Sequence, residues 1–226
     1  MNNAVIILAG GLGSRANNGV PKQFVEINGT PIFVYSIYPF LDFVDFIVVS
    51  CEKAYMEYAF LKLKENIKSK KIFVVEGGST GLESALNGFK RIDESGEPFD
   101  CVFIHDAARP FLKKNTILNC INLLDMYGYI FSGTKMAESV YNQLTSETMR
   151  KDNLFRIVSP HAFKYDFLKK NYNDAIESQE LTIFNYLVSK GFAVHIAESD
   201  DSNFKITTPE QLEIAIKLLK YDERIK

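Results

Sequence analysis

The chain has 226 residues, 46% hydrophobic and 24% charged, and its 26 Lys and Arg against 28 Asp and Glu leave a formal net charge of −2. That is an ordinary globular composition, with length for one large α/β domain, or one domain with a small appendage, rather than two substantial ones. A near-neutral balance argues against a sequence-independent nucleic-acid binder or a membrane-surface protein, so any phosphate ligand must be met by locally placed cations.

The N-terminus, Met1-Asn2-Asn3 and the short apolar run Ala4 to Leu8, lacks the basic start and longer apolar core of a signal peptide. AVIIL (4–8), FIVVS (46–50), KIFVV (71–75), CVFIH (101–105) and FAVHIA (192–197) read as strands. Between them, residues 32–41, 54–67, 82–92 and 117–126 carry apolar residues at helical spacing. The alternation predicts an α/β fold, a mostly parallel sheet with helices on both faces. A last helix is expected after Thr207-Thr208-Pro209-Glu210, where a Thr cap, a Pro at the first helical position and an acidic first turn agree.

Residues 133–159 break this rhythm, are polar around 142–148, and read as two short strands with a turn, an arm inserted within one domain spanning 1–226. The most apolar stretch, 31–51, is interrupted by Pro39, Asp42 and Asp45 and is too polar for a membrane span. Cys51, Cys101 and Cys120 are far apart and form no CxxC pair, so neither a disulfide framework nor a zinc site is suggested; a soluble, cytoplasmic protein is expected.

The first strand runs into Leu8-Ala9-Gly10-Gly11-Leu12-Gly13-Ser14-Arg15, followed by Pro21-Lys22-Gln23-Phe24. A glycine-rich turn at the carboxyl end of a first strand lets backbone N–H groups approach a phosphate, and two cations lie within a few residues. Residues 11–16 formally match the dinucleotide fingerprint G-x-G-x-x-G/A, which makes a nicotinamide dehydrogenase a rival. That fingerprint opens a long helix, however, and Asn17-Asn18-Gly19-Val20-Pro21 breaks any helix within about a turn. The acidic residue expected about 20 positions on is also missing. No G-x-x-x-x-G-K-[ST] occurs, which removes a P-loop.

His105-Asp106-Ala107-Ala108-Arg109-Pro110-Phe111 begins where the CVFIH strand ends. An Asp at the carboxyl edge of a parallel sheet, beside a nucleotide phosphate, suits a Mg²⁺ ligand; the plainer alternative pairs it with Arg109, with His105 packed beneath, and the two are compatible. Residues 77–84, GGSTGLES, offer glycines and hydroxyls to a base or ribose, or simply cap the next helix. Asn203-Phe204-Lys205-Ile206 brings another cation to a strand end, although a lysine there on spacing alone is more often solvated.

These strings, in this order, resemble the cytidylyltransferases of the isoprenoid-precursor and polyol-phosphate group, the IspD/TarI type, whose members act on 2-C-methyl-D-erythritol 4-phosphate or ribitol 5-phosphate. The resemblance covers essentially the whole chain and implies a Rossmann-like nucleotidyltransferase fold. By that resemblance Leu8, Ala9, Gly10, Gly11 and Gly13 form the CTP-binding turn, and Arg15 and Lys22 meet its phosphates. Gly78 and Ser84 belong to the segment over cytosine and ribose, Asp106 to the site near Mg²⁺ and nucleotide, and Lys205 faces the reacting phosphates. Arg109 and Ser159 fall on the acceptor side. The arm implies a homodimer in which a basic residue, Lys151 or its neighbour Arg150, reaches the other subunit's alcohol-phosphate pocket.

Several positions depart from the erythritol-phosphate pattern. Leu8-Ala9-Gly10-Gly11 replaces the usual A-A-G, Gly81 stands where an Arg is usual, and Ser159-Pro160-His161 replaces T-P-Q. A T-D pair has no clear match near Glu180-Leu181-Thr182. Most of these lie on the acceptor side, and they rank a polyol phosphate such as ribitol 5-phosphate above methylerythritol phosphate, with a nucleotide-binding protein without catalysis as a further class. The implied reaction is attack of an alcohol monophosphate on the α-phosphorus of CTP. The nucleophile is largely ionised at neutral pH, so preplaced cations and Mg²⁺ rather than a general base are required.

Overall fold

The computed structural model describes residues 2–11 and 19–222. Its main sheet has seven strands: β1 (Asn3–Leu8), β4 (Phe46–Cys51), β5 (Lys71–Glu76), β6 (Cys101–Asp106), β7 (Tyr129–Lys135), β10 (Phe155–Lys164) and β11 (Ile196–Glu198). Two pairs of short strands lie apart from it, β2 (Glu26–Ile27) with β3 (Thr30–Pro31), and β8 (Val140–Asn142) with β9 (Glu147–Met149). The helices are α1 (Ile32–Ile37), α2 (Met56–Asn66), α3 (Gly81–Asp93), α4 (Lys114–Tyr127), α5 (Tyr165–Ile176), α6 (Ile183–Ser189) and α7 (Pro209–Leu219).

The sheet order is β11-β7-β10-β6-β1-β4-β5. β1 pairs in parallel with β4 and β6, β4 with β5, and β11 with β7, while β10 runs antiparallel to both neighbours. The strands at the centre read as unbroken apolar runs because both faces are covered. From β1, Val5 and Ile7 pack with Phe33 of α1, Leu63 of α2 and Ile117 of α4, and Ala4 and Ile6 pack with Leu86 and Phe89 of α3 and Tyr186 of α6. Each fully buried side chain of this size adds roughly 1.5–3 kcal/mol. A third cluster seats α7 against α1 through Ile206, Ala215, Leu219, Ile32 and Tyr35.

The expected alternation is present, with differences at its edges. The helix read over 32–41 tightens after Ile37 into a 3-10 turn, Tyr38–Phe40, that contains Pro39, and the one read over 54–67 opens with a 3-10 turn, Lys53–Tyr55. The strand read over 192–197 forms only at Ile196–Glu198, since β7 offers it three paired positions. Residues 133–135 and 155–159 run in β7 and β10, and the β8–β9 hairpin lies between them. The last helix has the expected start: Thr208 Oγ1 accepts the Gln211 N–H at 3.3 Å, and Gln211 Oε1 accepts the Thr208 N–H at 3.1 Å.

The carboxyl ends of β1, β4 and β6 lie side by side, and β1 leads to β4 on one flank while β6 lies on the other. That reversal opens a crevice at the strand ends, where α/β sheets bind ligands. Among the described residues no helix is long and apolar enough to cross a membrane.

Candidate active site

Just beyond Leu8 the chain is pinned to neighbouring elements. The Ala9 N–H donates to the Ser50 carbonyl at 2.7 Å, and the Gln23 amide donates to the Ala9 and Gly11 carbonyls at 2.7 and 3.2 Å. A 3-10 turn at Lys22–Phe24 thus fixes the start of the glycine turn from outside it. A Cβ at Gly11 would meet nothing within 4 Å, so its missing side chain clears space rather than protein. Gly13 and Arg15, both expected at the nucleotide, lie outside the described residues.

Lys22 is 9% exposed and has no carboxylate at ion-pair distance among the described residues. Burial first, then the neighbouring charge of Lys205, lowers its pKa, and Asp106 opposes the shift. A buried cation in this state is poised for an anion from outside the chain.

The Asp106 carboxylate is shared by two cations. Its Oδ2 accepts from Arg109 Nε at 2.8 Å and its Oδ1 from Lys205 Nζ at 3.0 Å. Burial alone would raise its pKa, but Lys205 and Arg109 outweigh burial and hold the carboxyl well below the usual range. Beneath it, the Asp106 N–H donates to Ser159 Oγ at 3.0 Å, Ser159 Oγ lies 2.9 Å from His105 Nδ1, and His105 Nε2 lies 3.2 Å from the Arg109 carbonyl. One tautomer satisfies the whole chain: Ser159 donates to Nδ1, and Nε2–H donates to Arg109. Burial pushes the His105 imidazole down to about 3, in keeping with that neutral form. Arg109 also donates to the Asn203 carbonyl at 2.8 Å, and the Asn203 amide donates to the Ser159 carbonyl at 2.6 Å.

On the other side, the loop between β5 and α3 divides its groups. Thr80 caps α3 by accepting the Glu83 N–H at 3.0 Å, and Ser79 donates through N–H and Oγ to Glu83 Oε2. Ser84 Oγ instead accepts the Gly78 N–H at 3.0 Å and faces the crevice. A Cβ at Gly78 would lie 2.1 Å from that of Glu83, so no other residue fits there.

Together these elements line one cavity of about 790 Å³. Of the site residues named from sequence, Leu8, Gly10, Gly11, Lys22, Gly78, Ser84, Asp106, Arg109, Ser159 and Lys205 line it, whereas Ala9 is buried behind it. Arg150 and Lys151 do not reach it within their own chain: Arg150 pairs with Asp152 at 3.5 Å, and Lys151 donates to the Ala137 carbonyl at 3.1 Å. The cavity also has Gln23 and Glu52, to which motif reading gave no role, and His161 and the 181–184 stretch ahead of and within α6, of which it noted His161, Leu181 and Thr182 only as departures. His161 Nδ1 is buried with no hydrogen-bond partner, and burial pushes this ring down to about 4. Gln23 and Asn203 stood inside the quoted motifs and His161 inside the Ser159-Pro160-His161 departure; Glu52 carried no signal beyond following a strand.

The family model described as IspD, 2-C-methyl-D-erythritol 4-phosphate cytidylyltransferase, matches residues 3–221. The chain belongs to this family. A 2-C-methyl-D-erythritol 4-phosphate cytidylyltransferase of Thermosipho melanesiensis is 32% identical over 215 residues, 93% of this chain and 94% of that one. A ribitol-5-phosphate cytidylyltransferase of Lacticaseibacillus paracasei is 29% identical over 230 residues, 96% and 98% of the two chains. The fold matches a crystal structure of 4-diphosphocytidyl-2C-methyl-D-erythritol synthase from Anaerococcus prevotii with a TM-score of 0.79, at 22% identity over 97% and 98% of the chains. The protein is thus a cytidylyltransferase of the IspD family. Most similar relatives carry the erythritol-phosphate name, which reverses the ranking that the acceptor-side departures suggested.

Proposed function

We propose that this IspD-family enzyme transfers CMP from CTP to 2-C-methyl-D-erythritol 4-phosphate in the cytoplasm. The observation that carries the reading is the family match over residues 3–221. The site supports its chemistry. An oxygen of the alcohol phosphate attacks the α-phosphorus of CTP, a new O–P bond forms, and the bond to the β-phosphate oxygen breaks as pyrophosphate leaves. The attacking phosphate is mostly dianionic at neutral pH, so no proton need be removed, and the barrier is charge repulsion between polyanions. Lys22, with no ion-pair partner among the described residues, meets the triphosphate; Lys205, held by Asp106, faces the reacting phosphates.

The donor set fits a cation carried mainly by substrate. Among the described residues no group of three or more His, Cys, Asp or Glu could form a protein cage, and Asp106 supplies one carboxylate beside the phosphate site. That suits Mg²⁺, which binds through one or two carboxylates plus substrate phosphates. When bound it would neutralise phosphate charge.

The arm supports a homodimer. Tyr141, Leu144 and Met149 of the β8–β9 hairpin are exposed, Leu144 at 97%, and Arg150 and Lys151 have no role in their own cavity. In a dimer one of these cations would enter the partner's acceptor pocket.

A second reading, transfer to ribitol 5-phosphate or a related alditol phosphate, is favoured by Ser159-Pro160-His161, Gly81 and Leu181-Thr182 on the acceptor side. Pyrophosphate release from CTP and Mg²⁺ over both acceptors and glycerol 3-phosphate separates the readings. Turnover of methylerythritol phosphate at least tenfold more efficient than of the others is expected; preference for an alditol phosphate overturns the first reading. No turnover at all, with tight CTP binding, overturns both.

A further inference from the structure

The cavity has a cation-rich end and an end without cations among the described residues. Lys22, Asp106, Arg109 and Lys205 stand at the first. At the second, the ends of β4 and β5 run together. The Gly77 N–H donates to the Cys51 carbonyl at 2.8 Å, and a Cβ at Gly77 would lie 3.2 Å from Ser84 Oγ and 3.5 Å from Ser50 Oγ. Glu52, the next residue after Cys51, lines the cavity here, and its Oε1 is buried with no hydrogen-bond partner. No Lys, Arg or His lies within ion-pair distance of Glu52 among the described residues.

A buried carboxylate oxygen is costly to leave unpaired, and a carboxylate accepts but cannot donate. The missing partner is therefore an N–H or O–H donor, and the cavity is where it can enter. Phosphate oxygens are repelled from this position, and the cations that draw them stand at the other end. With the triphosphate over those cations, the nucleoside extends toward Ser84, Gly78 and Glu52. We infer that Glu52 reads the exocyclic amino group of the cytosine base and is a specificity-determining residue for CTP. The inference rests on the proposed use of CTP and deepens it. Uracil carries a keto oxygen at the same ring position, which would face Glu52 lone pair to lone pair. A site built around one polar group rejects an analogue lacking it far more strongly than an apolar pocket would. The ribose hydroxyls are the competing donors.

Calorimetric titration of the wild-type enzyme, Glu52→Gln and Glu52→Ala with CTP, UTP and dCTP at fixed Mg²⁺ tests the inference. Wild type is expected to prefer CTP to UTP. Glu52→Gln, whose amide can donate to a keto oxygen, should narrow the CTP-to-UTP preference at least tenfold and leave the CTP-to-dCTP ratio within twofold. Glu52→Ala should weaken CTP binding with its melting temperature retained. An unchanged CTP-to-UTP ratio in Glu52→Gln overturns the inference, and so does a change confined to dCTP, which would move Glu52 to the ribose. Binding is read without an acceptor, so a protein that binds CTP but turns over no alcohol phosphate sinks the acceptor reading alone. Failure of the wild type to bind CTP overturns both.

Discussion

Lys205 Nζ lies 3.0 Å from Asp106 Oδ1, joining residues 99 apart in sequence across the mouth of the cavity. The carboxylate holds this half-exposed lysine at the cavity, while Arg109 secures its other oxygen. In Asp106→Asn the amide carries no charge, and both cations lose their counter-ion. Turnover should fall on the order of 10²-fold or more, with a stability loss of about 1–3 kcal/mol. Steady-state kinetics beside a thermal melt checks both, and near-normal turnover would remove Asp106 from the reaction.

Lys22 should separate activity from stability in opposite directions. Its pKa is lowered chiefly by burial, so the native state binds its proton less well than the unfolded chain does, and stability rises with pH toward alkaline values. Lys22→Met keeps the aliphatic stem and removes the buried charge. It should abolish most turnover while the ligand-free protein melts no lower than wild type. Arg15→Ala should also lose turnover with the fold retained. A Lys22→Met protein that still turns over normally would contradict the role given to Lys22.

Two neutral histidines predict acid sensitivity. His105 and His161 titrate near 3 and 4 in the folded state against about 6.5 unfolded. The unfolded chain therefore binds more protons between these limits, and the stability the neutral rings represent is complete above pH 6.5 and lost as pH falls. Each contributes at most about 1.4 kcal/mol per pH unit. Urea midpoints should be flat from pH 7 to 8 and decline below 6.5. Histidine-to-glutamine variants at both positions should flatten that decline, and an unchanged slope would show that other groups cause it.

Gly88→Ala sets helix propensity against packing. Alanine is the better helix former by about 1 kcal/mol, yet a Cβ at Gly88 would lie 2.5 Å from Ile6 Cγ2, where α3 crosses β1. Overpacking of this kind costs roughly 1–3 kcal/mol. A net fall in melting temperature is expected, and a rise would mean that α3 can move away from β1 freely.

Mixing a Lys22→Ala protein with an Arg150→Ala, Lys151→Ala double variant, each inactive alone, should restore partial activity through mixed dimers. Absence of recovery once subunit exchange is verified counts against an arm cation acting across the interface.

The fold was legible where a strand reads as a continuous apolar run, as in AVIIL and CVFIH, which have no other stable place than a covered sheet. β7 and β10 escaped notice because each mixes polar residues, Ser132, Gly133 and Thr134 in one and Ser159 and His161 in the other, into an otherwise apolar strand. In the site, residues with formal charge stood out in the sequence, and Lys22, Asp106, Arg109 and Lys205 all line the cavity. What stayed hidden acts through contacts between distant elements. Gln23 fixes the glycine turn by bonding backbone carbonyls 12 and 14 residues earlier, and Asn203 ties Arg109 to Ser159 from a loop far along the chain. No local spacing encodes such links.

The chain of bonds from the Asp106 N–H through Ser159 and His105 to the Arg109 carbonyl has a kinetic meaning as well as a structural one. It is complete without ligand and carries no net charge, so the loop from Asp106 to Arg109 is ordered when the sheet forms. Entropy that a floppy loop would surrender at every encounter with substrate is surrendered once, during folding, and substrate affinity is not diminished by it.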